Sequence, residues 1–139
     1  MMKKLLLLAL ALALVTGAAA AADQAKKGPG KGVFFVEPKN GAVVGTQFKV
    51  VMGVKGMDIK PAGEMVENAG HHHLLIDTDP VDLGKVIPAD DKHVHFGKGQ
   101  TETTVKLAPG KYKLQLQFAD GAHRSYGEAM RATVDVTVK

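Results

Sequence analysis

Runs in which apolar and polar side chains alternate dominate the last third of this chain and predict β-strands. The runs TTVKL (103–107), YKLQLQF (112–118) and ATVDVTV (132–138) place apolar residues at every second position. Because successive side chains of a strand point to opposite faces, each run indicates a strand with one buried face. The first two are joined by Pro109-Gly110, which is a strong signal for a hairpin turn.

The middle of the chain adds four further strands to this pattern. They are VFFV (33–36), FKVVMGV (48–54), GHHHLLID (70–77) and HVHF (93–96). Irregular connections rich in glycine, proline and charged residues separate several of them, at 56–69, 81–91 and 120–130. About seven short strands with turns of this kind predict an all-β, immunoglobulin-like Greek-key β-sandwich, with an open barrel as the alternative.

The N-terminal segment has the pattern of a cleaved secretory signal peptide. A basic start with Lys3 and Lys4 precedes an apolar stretch at 5–15 and small residues up to Ala22. We therefore expect three regions: a signal peptide at 1–22, a flexible polar segment at 23–32, and a single β-sandwich domain at 33–139. The mature protein is expected in a bacterial periplasm, without a membrane span.

Composition excludes several classes of function. The formal net charge of +4 falls to +2 once the two leader lysines are removed, and aromatic residues make up only 5% of the chain. Nucleic-acid binding by a basic patch or by stacking aromatics is therefore not expected. The chain has no cysteine, which rules out disulfides and thiol catalysis.

Histidine provides the chemistry that stands out, because all six histidines fall between positions 71 and 123. They form the triplet His71-His72-His73, the pair His93-Val94-His95 and the single His123. Neutral imidazole is a common ligand of copper and zinc. The clustering on predicted strands therefore indicates a metal site.

Strand geometry divides these histidines between two faces. If Leu74 faces the core, then His71 and His73 point to the other face, while His72 points inward. His93 and His95 likewise share one face of their strand. The two pairs can converge on one ion if their strands are neighbours. His123 would complete or cover the site, and His72 is either a ligand or a buried hydrogen-bonding group.

Two methionines in the long loop before the triplet, Met57 and Met65, are candidate soft ligands for Cu(I), or else they pack beneath that loop. Nearby carboxylates at strand ends are candidates for accepting histidine N–H groups, or simply turn residues; they are Asp77, Asp79, Asp90 and Asp91. Since metal and protons compete for imidazole, we expect affinity to fall as the pH drops through about 6.

The segments FVEPKNGAVV, GHHHLLIDTD, IPADDKHVHFGKGQTE and LAPGKYKLQLQFAD resemble a small exported bacterial family of unknown function. That resemblance implies a single exported β-sandwich domain and supplies no activity. The segment from His93 to Gly97 is also similar to the copper-ligand strand of copper/zinc superoxide dismutases. The chain as a whole resembles the periplasmic copper-binding β-sandwich proteins.

Three functions remain open at this stage. The first is a periplasmic metal-binding protein, with copper as the expected metal and zinc as the alternative. It would serve metal storage, transfer or resistance and exchange the metal with a donor or acceptor protein. The second is a metalloenzyme with histidine-held copper or zinc, of the superoxide-dismutase type. The third is an interaction module without metal, in which the histidines form a polar network or a pH-sensitive surface.

Overall fold

The computed structural model describes residues 30–139, so the expected signal peptide and most of the expected flexible segment lie outside the described residues. Nine strands run through this part of the chain. They are β1 (Gly32–Glu37), β2 (Ala42–Val44), β3 (Gln47–Lys55), β4 (Asp58–Ile59), β5 (Ala69–Ile76), β6 (His93–His95), β7 (Glu102–Lys106), β8 (Gly110–Ala119) and β9 (Arg131–Val138). One 3₁₀ turn, Glu128–Met130, leads into β9.

The strands form two sheets that pack face to face. One sheet has the order β1-β3-β7, and the other has the order β2-β9-β8-β5. The side of β5 away from β8 pairs with two short strands: β4, which runs parallel to it, and β6, which runs antiparallel. In the smaller sheet, the early strands β1 and β3 pair with the later strand β7. The larger sheet, which faces it, contains the last two strands, β8 and β9, beside β5. This is the immunoglobulin-like Greek-key arrangement.

The core lies between the sheets and is built from the inward positions of the alternating runs. Phe48, Val50 and Met52 of β3 meet Leu114 and Leu116 of β8 there, and all five are buried. Burial of this apolar face is the main stabilising term for such a sandwich.

The predicted fold class is confirmed, and all seven predicted strands are present. The two strands that the sequence pattern missed, β2 and β4, are only three and two residues long. Segments of two or three residues are too short to show an alternating pattern of apolar and polar residues. Their place in the sheet is set by the longer strands β9 and β5, with which they pair in parallel. Within residues 30–139, no helix is long and apolar enough to span a membrane.

Candidate metal centre

Strand β5 is buried along its entire length, although it carries three histidines. His72 lies opposite Phe118 of β8, on the face that packs into the core. His71 and His73 lie on the other face, as the alternation predicted, but they are only 0% and 1% exposed. A further layer must therefore cover this outer face of the larger sheet.

Two loops supply that layer. Residues 84–87 run antiparallel to residues 123–125, with backbone hydrogen bonds from Gly84 N to Ser125 O (2.8 Å) and from Ile87 N to His123 O (2.9 Å). The Ser125 hydroxyl also donates to Val81 O at 2.8 Å. This small flap, residues 84–87 with 123–125, brings His123 over β5.

Four histidines converge beneath and beside the flap. The six distances between their ring centroids lie between 4.5 and 5.7 Å. One ring nitrogen from each lies within 4.8 Å of those from the other three. The members of this four-histidine cluster are His71, His73, His95 and His123.

His95 enters the cluster through the pairing of β6 with β5, in which it lies directly opposite His73. Its imidazole then folds back over Gly97. A Cβ atom built on Gly97 would overlap the His95 ring, at 2.6 Å from Nε2. The absence of a side chain at this position therefore makes room for the imidazole of His95.

His123 is held in the cluster by a tight turn that Asp120 organises. One Asp120 carboxylate oxygen accepts hydrogen bonds from the backbone N–H groups of Ala122 (2.9 Å) and Arg124 (3.0 Å). The other accepts from Arg124 Nε at 2.9 Å. His123 itself has a left-handed backbone with φ of 63°, a conformation that residues other than glycine seldom adopt and that marks local strain.

A third segment, residues 60–64, ties the histidine-bearing parts together. Its backbone N–H groups donate to three carbonyls: Lys60 to Gly70 O, Ala62 to Gly97 O, and Gly63 to Gly121 O, each at 2.8 Å. These acceptors lie next to His71, near His95, and in the turn that carries His123. The 60–64 segment therefore fixes the relative positions of all three.

Burial favours the neutral form of three clustered imidazoles, those of His71, His73 and His95. Desolvation, together with the neighbouring His95 and His123, lowers the pKa of His71 to about 4, against a small raising effect of Asp120. Desolvation and the surrounding histidines lower the pKa of His73 to about 3. Desolvation and His123 also lower the pKa of His95. Neutral imidazole is the form that ligates metals.

The internal hydrogen bonding of the cluster is incomplete. His71 Nε2 and His123 Nδ1 lie 3.2 Å apart, so one ring donates and the other accepts. His71 Nδ1 and His73 Nδ1 are buried and have no hydrogen-bond partner among residues 30–139. Leaving buried polar atoms unpaired is costly, and it is typical of positions with a functional constraint.

The spacing of the four rings fits a single transition-metal ion. Imidazole nitrogens bound at 2.0–2.1 Å lie roughly 3–4 Å apart across zinc or copper. The nitrogens of the cluster are 4.8 Å apart at most. Side-chain rotations that move each nitrogen by about 1 Å or less bring them to that spacing. His71 and His73 form the buried floor, whereas His95 is exposed and His123 partly exposed, so the site opens to solvent on their side.

The remaining candidates lie outside the cluster. His93 shares a face with His95, but it lies opposite Leu75 and its Nδ1 contacts the Asp90 carboxylate at 2.6 Å. His72 points inward as predicted, yet neither of its ring nitrogens has a partner among residues 30–139. The hydrogen-bonding role suggested for His72 is therefore not found.

The other candidates also have separate places. Met57 is partly buried against the core, and Met65 is 58% exposed; both line a surface pocket. Of the four aspartates, Asp90 alone has a histidine partner, whereas an Asp77 oxygen accepts from Lys113 N at 2.6 Å.

Sequence reasoning missed Asp120, Gly97 and the 60–64 segment as supports of the cluster. A local signal existed for the first, because Asp120-Gly121 is a common turn sequence. The roles of Gly97 and of the 60–64 segment depend on contacts between distant parts of the chain, which the sequence pattern does not report.

Taken together, the fold and the cluster define an immunoglobulin-like β-sandwich with four histidines gathered on and beside strand β5. The chain belongs to the family described as "Domain of unknown function (DUF4399)", whose model matches residues 50–139. That match includes all six histidines. No curated protein and no solved structure matches the chain.

Proposed function

We propose that this protein binds copper through the four-histidine cluster as an exported storage or transfer protein. The observation that carries the proposal is the convergence of four imidazoles from three separate chain segments within 4.8 Å. Lowered pKa values keep the floor ligands His71 and His73 ready to bind at neutral pH.

The general order of metal affinities favours copper over zinc. A site made only of imidazoles suits both ions, but divalent copper binds a given nitrogen site more tightly in the general affinity order. Zinc is the alternative, since four nitrogens at this spacing can also adopt a tetrahedral arrangement.

Storage or transfer is favoured over catalysis by the number of ligands. Catalytic metal sites keep a coordination position open for water or substrate, whereas structural and binding sites fill all positions with protein ligands. Four imidazoles occupy every coordination position of a four-coordinate ion. Exchange of the metal with a donor or acceptor protein would proceed from the side where His95 and His123 reach the surface.

The test is metal titration of untagged mature protein by Cu(II) and Zn(II). We expect one ion per chain and a loss of affinity of about a hundredfold or more, roughly 2.7 kcal/mol, in the variant His95→Ala/His123→Ala. These two side chains are the most exposed of the four, so the fold should tolerate their removal.

The matched control is His93→Ala, which removes a histidine of the same strand and face that lies outside the cluster. It should bind both ions like the parent. Equal binding by parent and double variant would refute the proposal and favour a metal-free interaction surface.

One observation favours a metalloenzyme as the second candidate. Three of the ligands lie on paired strands, whereas His123 lies in a turn with a strained backbone. Release of His123 would leave three histidines and an open position. Turnover of superoxide by the copper-loaded parent, increased in His123→Ala, would support this candidate, and inactivity of both would exclude it.

The exported location is part of the same proposal and rests on the basic and apolar pattern of residues 1–22. Mass spectrometry of the protein from the periplasmic fraction should find an N-terminus near Asp23. Retention of residues 1–22 would contradict it.

A further inference from the structure

The smaller sheet, β1-β3-β7, has two outer edges, formed by β1 and by β7. Strand β1 pairs with β3 on one side. Apart from that pairing, its residues 32–37 make no backbone hydrogen bond with any part of residues 30–139. The other side of β1 therefore presents unpaired N–H and C=O groups, which can pair with a further strand.

The two edges differ in the side chains that they expose. Strand β7 exposes Glu102 and Lys106 at its ends, with Thr104 between them, and charged side chains on an edge discourage pairing with further strands. Strand β1 instead contains the uncharged run GVFFV (32–36) and exposes Phe34 (48%) and Val36 (40%). The β1 edge thus lacks the charges that protect the β7 edge.

The ring of Phe34 leans away from the open side of β1. It lies over Gly53, the residue of β3 directly opposite, so closely that a Cβ atom built on Gly53 would overlap the ring. The missing side chain of Gly53 makes room for the ring on the β3 side. The backbone on the other side of β1 is therefore not covered by this ring.

Alternation limits how a second copy of β1 can pair with the first. Val33 and Phe35 point into the core, whereas Phe34 points outward. In a continuous sheet, inward residues must lie opposite inward residues, because a shift by one residue exchanges the two faces. An antiparallel joint that sets Phe34 opposite its own copy meets this condition, since Val33 then lies opposite Phe35 on both sides of a twofold axis.

Charge also favours a second copy of this chain as the occupant. Lys55 lies opposite Gly32, so two exposed lysines, Lys31 and Lys55, mark the start of β1, whereas the exposed Glu37 ends it. The Lys31 ammonium donates to the neutral Asn68 side-chain oxygen at 3.1 Å, which leaves its charge uncompensated. An antiparallel joint brings Glu37 of each copy to the lysines of the other, so unlike charges meet at both ends.

We infer that β1 is a dimerisation edge, at which a second copy of this chain adds its own β1 in the antiparallel direction. The two three-stranded sheets then form one continuous sheet. The joint is short, because a bulge shifts the register between Phe35 and Glu37, and interfaces of small area are weak and transient. The inference is independent of the proposed function, since the sheet that carries β1 has no histidine.

Disulfide trapping tests the joint, because the chain has no cysteine of its own. In untagged mature protein, Phe34→Cys sets two Cα atoms about 4.5–5.5 Å apart across the twofold axis, a distance that a disulfide spans. We expect mild oxidation to give a linked dimer of doubled mass on a non-reducing gel. The matched control, Thr104→Cys at the β7 edge, should stay largely monomeric, and equal yields from both variants would overturn the inference.

Sedimentation equilibrium tests the same joint without cysteine. The parent should show a monomer–dimer equilibrium that shifts to monomer on dilution. Val36→Lys adds a positive charge next to the lysines of the other copy, so it should weaken dimerisation about tenfold or more. Val36→Glu, which adds the opposite charge at the same exposed position, should dimerise at least as well as the parent, and so should Thr104→Lys. A parent that is monomeric at every concentration would refute the inference, as would equal effects of the two charges at position 36.

Discussion

At the scale of single residues, the three consecutive histidines have two different environments. His71 and His73 each have the ligand nitrogens of the three other cluster histidines within 4.8 Å. His72 instead packs edge-on against Phe118, with ring centroids 5.2 Å apart. Burial also lowers the pKa of His72, to about 4. One side chain of the triplet is thus a polar group in an apolar core.

Substitution of His72 separates these roles. His72→Leu removes two buried ring nitrogens that have no partner among residues 30–139 and should raise the free energy of unfolding by about 1–3 kcal/mol. Metal affinity should remain within a few-fold of the parent. Urea denaturation and Cu(II) titration measure the two effects, and a large loss of affinity would show that His72 is a ligand.

The stability of the metal-free protein should depend on pH in a defined window. The pKa values of His71, His72 and His73 lie at about 4, 4 and 3 in the folded protein, below the ordinary 6.5. Between these values the unfolded chain binds more protons than the folded chain, so stability falls as the pH is lowered from 6.5 toward 4. Each histidine contributes at most about 1.4 kcal/mol per pH unit.

Urea midpoints at pH 7.5, 6 and 5 measure this slope, and His72→Leu should reduce it. The carboxyl groups of Asp90 and Asp120 have pKa values lowered from 3.8 and titrate below the window. A midpoint that does not change between pH 7.5 and 5 would contradict the burial of the triplet. The same lowered pKa values move the competition between metal and protons below the pH of about 6 expected from unperturbed histidine.

At the scale of strands and loops, the sequence predicts the face to which a side chain points better than it predicts the residues that this side chain contacts. Alternation predicted that His71 and His73 share one face of their strand, and that His93 and His95 share one face of theirs. The structure has both pairs arranged in this way. The choice of His95 over His93 depends on the register of β6, which sets His95 opposite His73. That register, and the turn that brings His123 to β5, are long-range contacts that no local pattern encodes.

Gly97 offers a test of how β6 positions the side chain of His95. Gly97→Ala places a methyl group where the His95 ring lies, and the ring, as the end of a flexible side chain, moves more easily than the backbone. We expect a loss of Cu(II) affinity of about tenfold or more and an altered Cu(II) EPR spectrum. The free energy of unfolding should stay within about 0.5 kcal/mol.

The control for that substitution is Gly45→Ala, since the nearest atom to a Cβ there is the Gln47 backbone oxygen at 3.8 Å. It should change neither affinity nor spectrum. An unchanged spectrum in Gly97→Ala would mean that His95 does not bind the metal.

At the scale of the whole molecule, one sheet carries the histidines and the other supports it from the opposite side of the core. All six histidines lie on or beside the larger sheet, and the β1-β3-β7 sheet carries none. That smaller sheet covers the apolar face of β5 and β8, and so supports the strand that holds the histidines. Packing across the sandwich therefore helps to position β5, which carries two of the four cluster histidines.

Leu116 tests this packing, because it is fully buried at the centre of β8. Leu116→Ala should lower the free energy of unfolding by about 2–5 kcal/mol through lost burial and the cavity left behind. Val43→Ala, at a side chain that is 61% exposed on β2, should change it by less than about 0.5 kcal/mol. Similar values for both variants in urea denaturation would place Leu116 on the wrong face.

The contact between His71 and His123 joins positions 52 residues apart in a chain without cysteine. An ion held by both would act as a removable cross-link between β5 and the last large loop. Binding to the folded chain alone adds about 4 kcal/mol of stability at a free metal concentration a thousand times the dissociation constant. Under the proposed transfer function, loss of the ion to an acceptor would remove this cross-link, so that metal release and loosening of the loop would occur together.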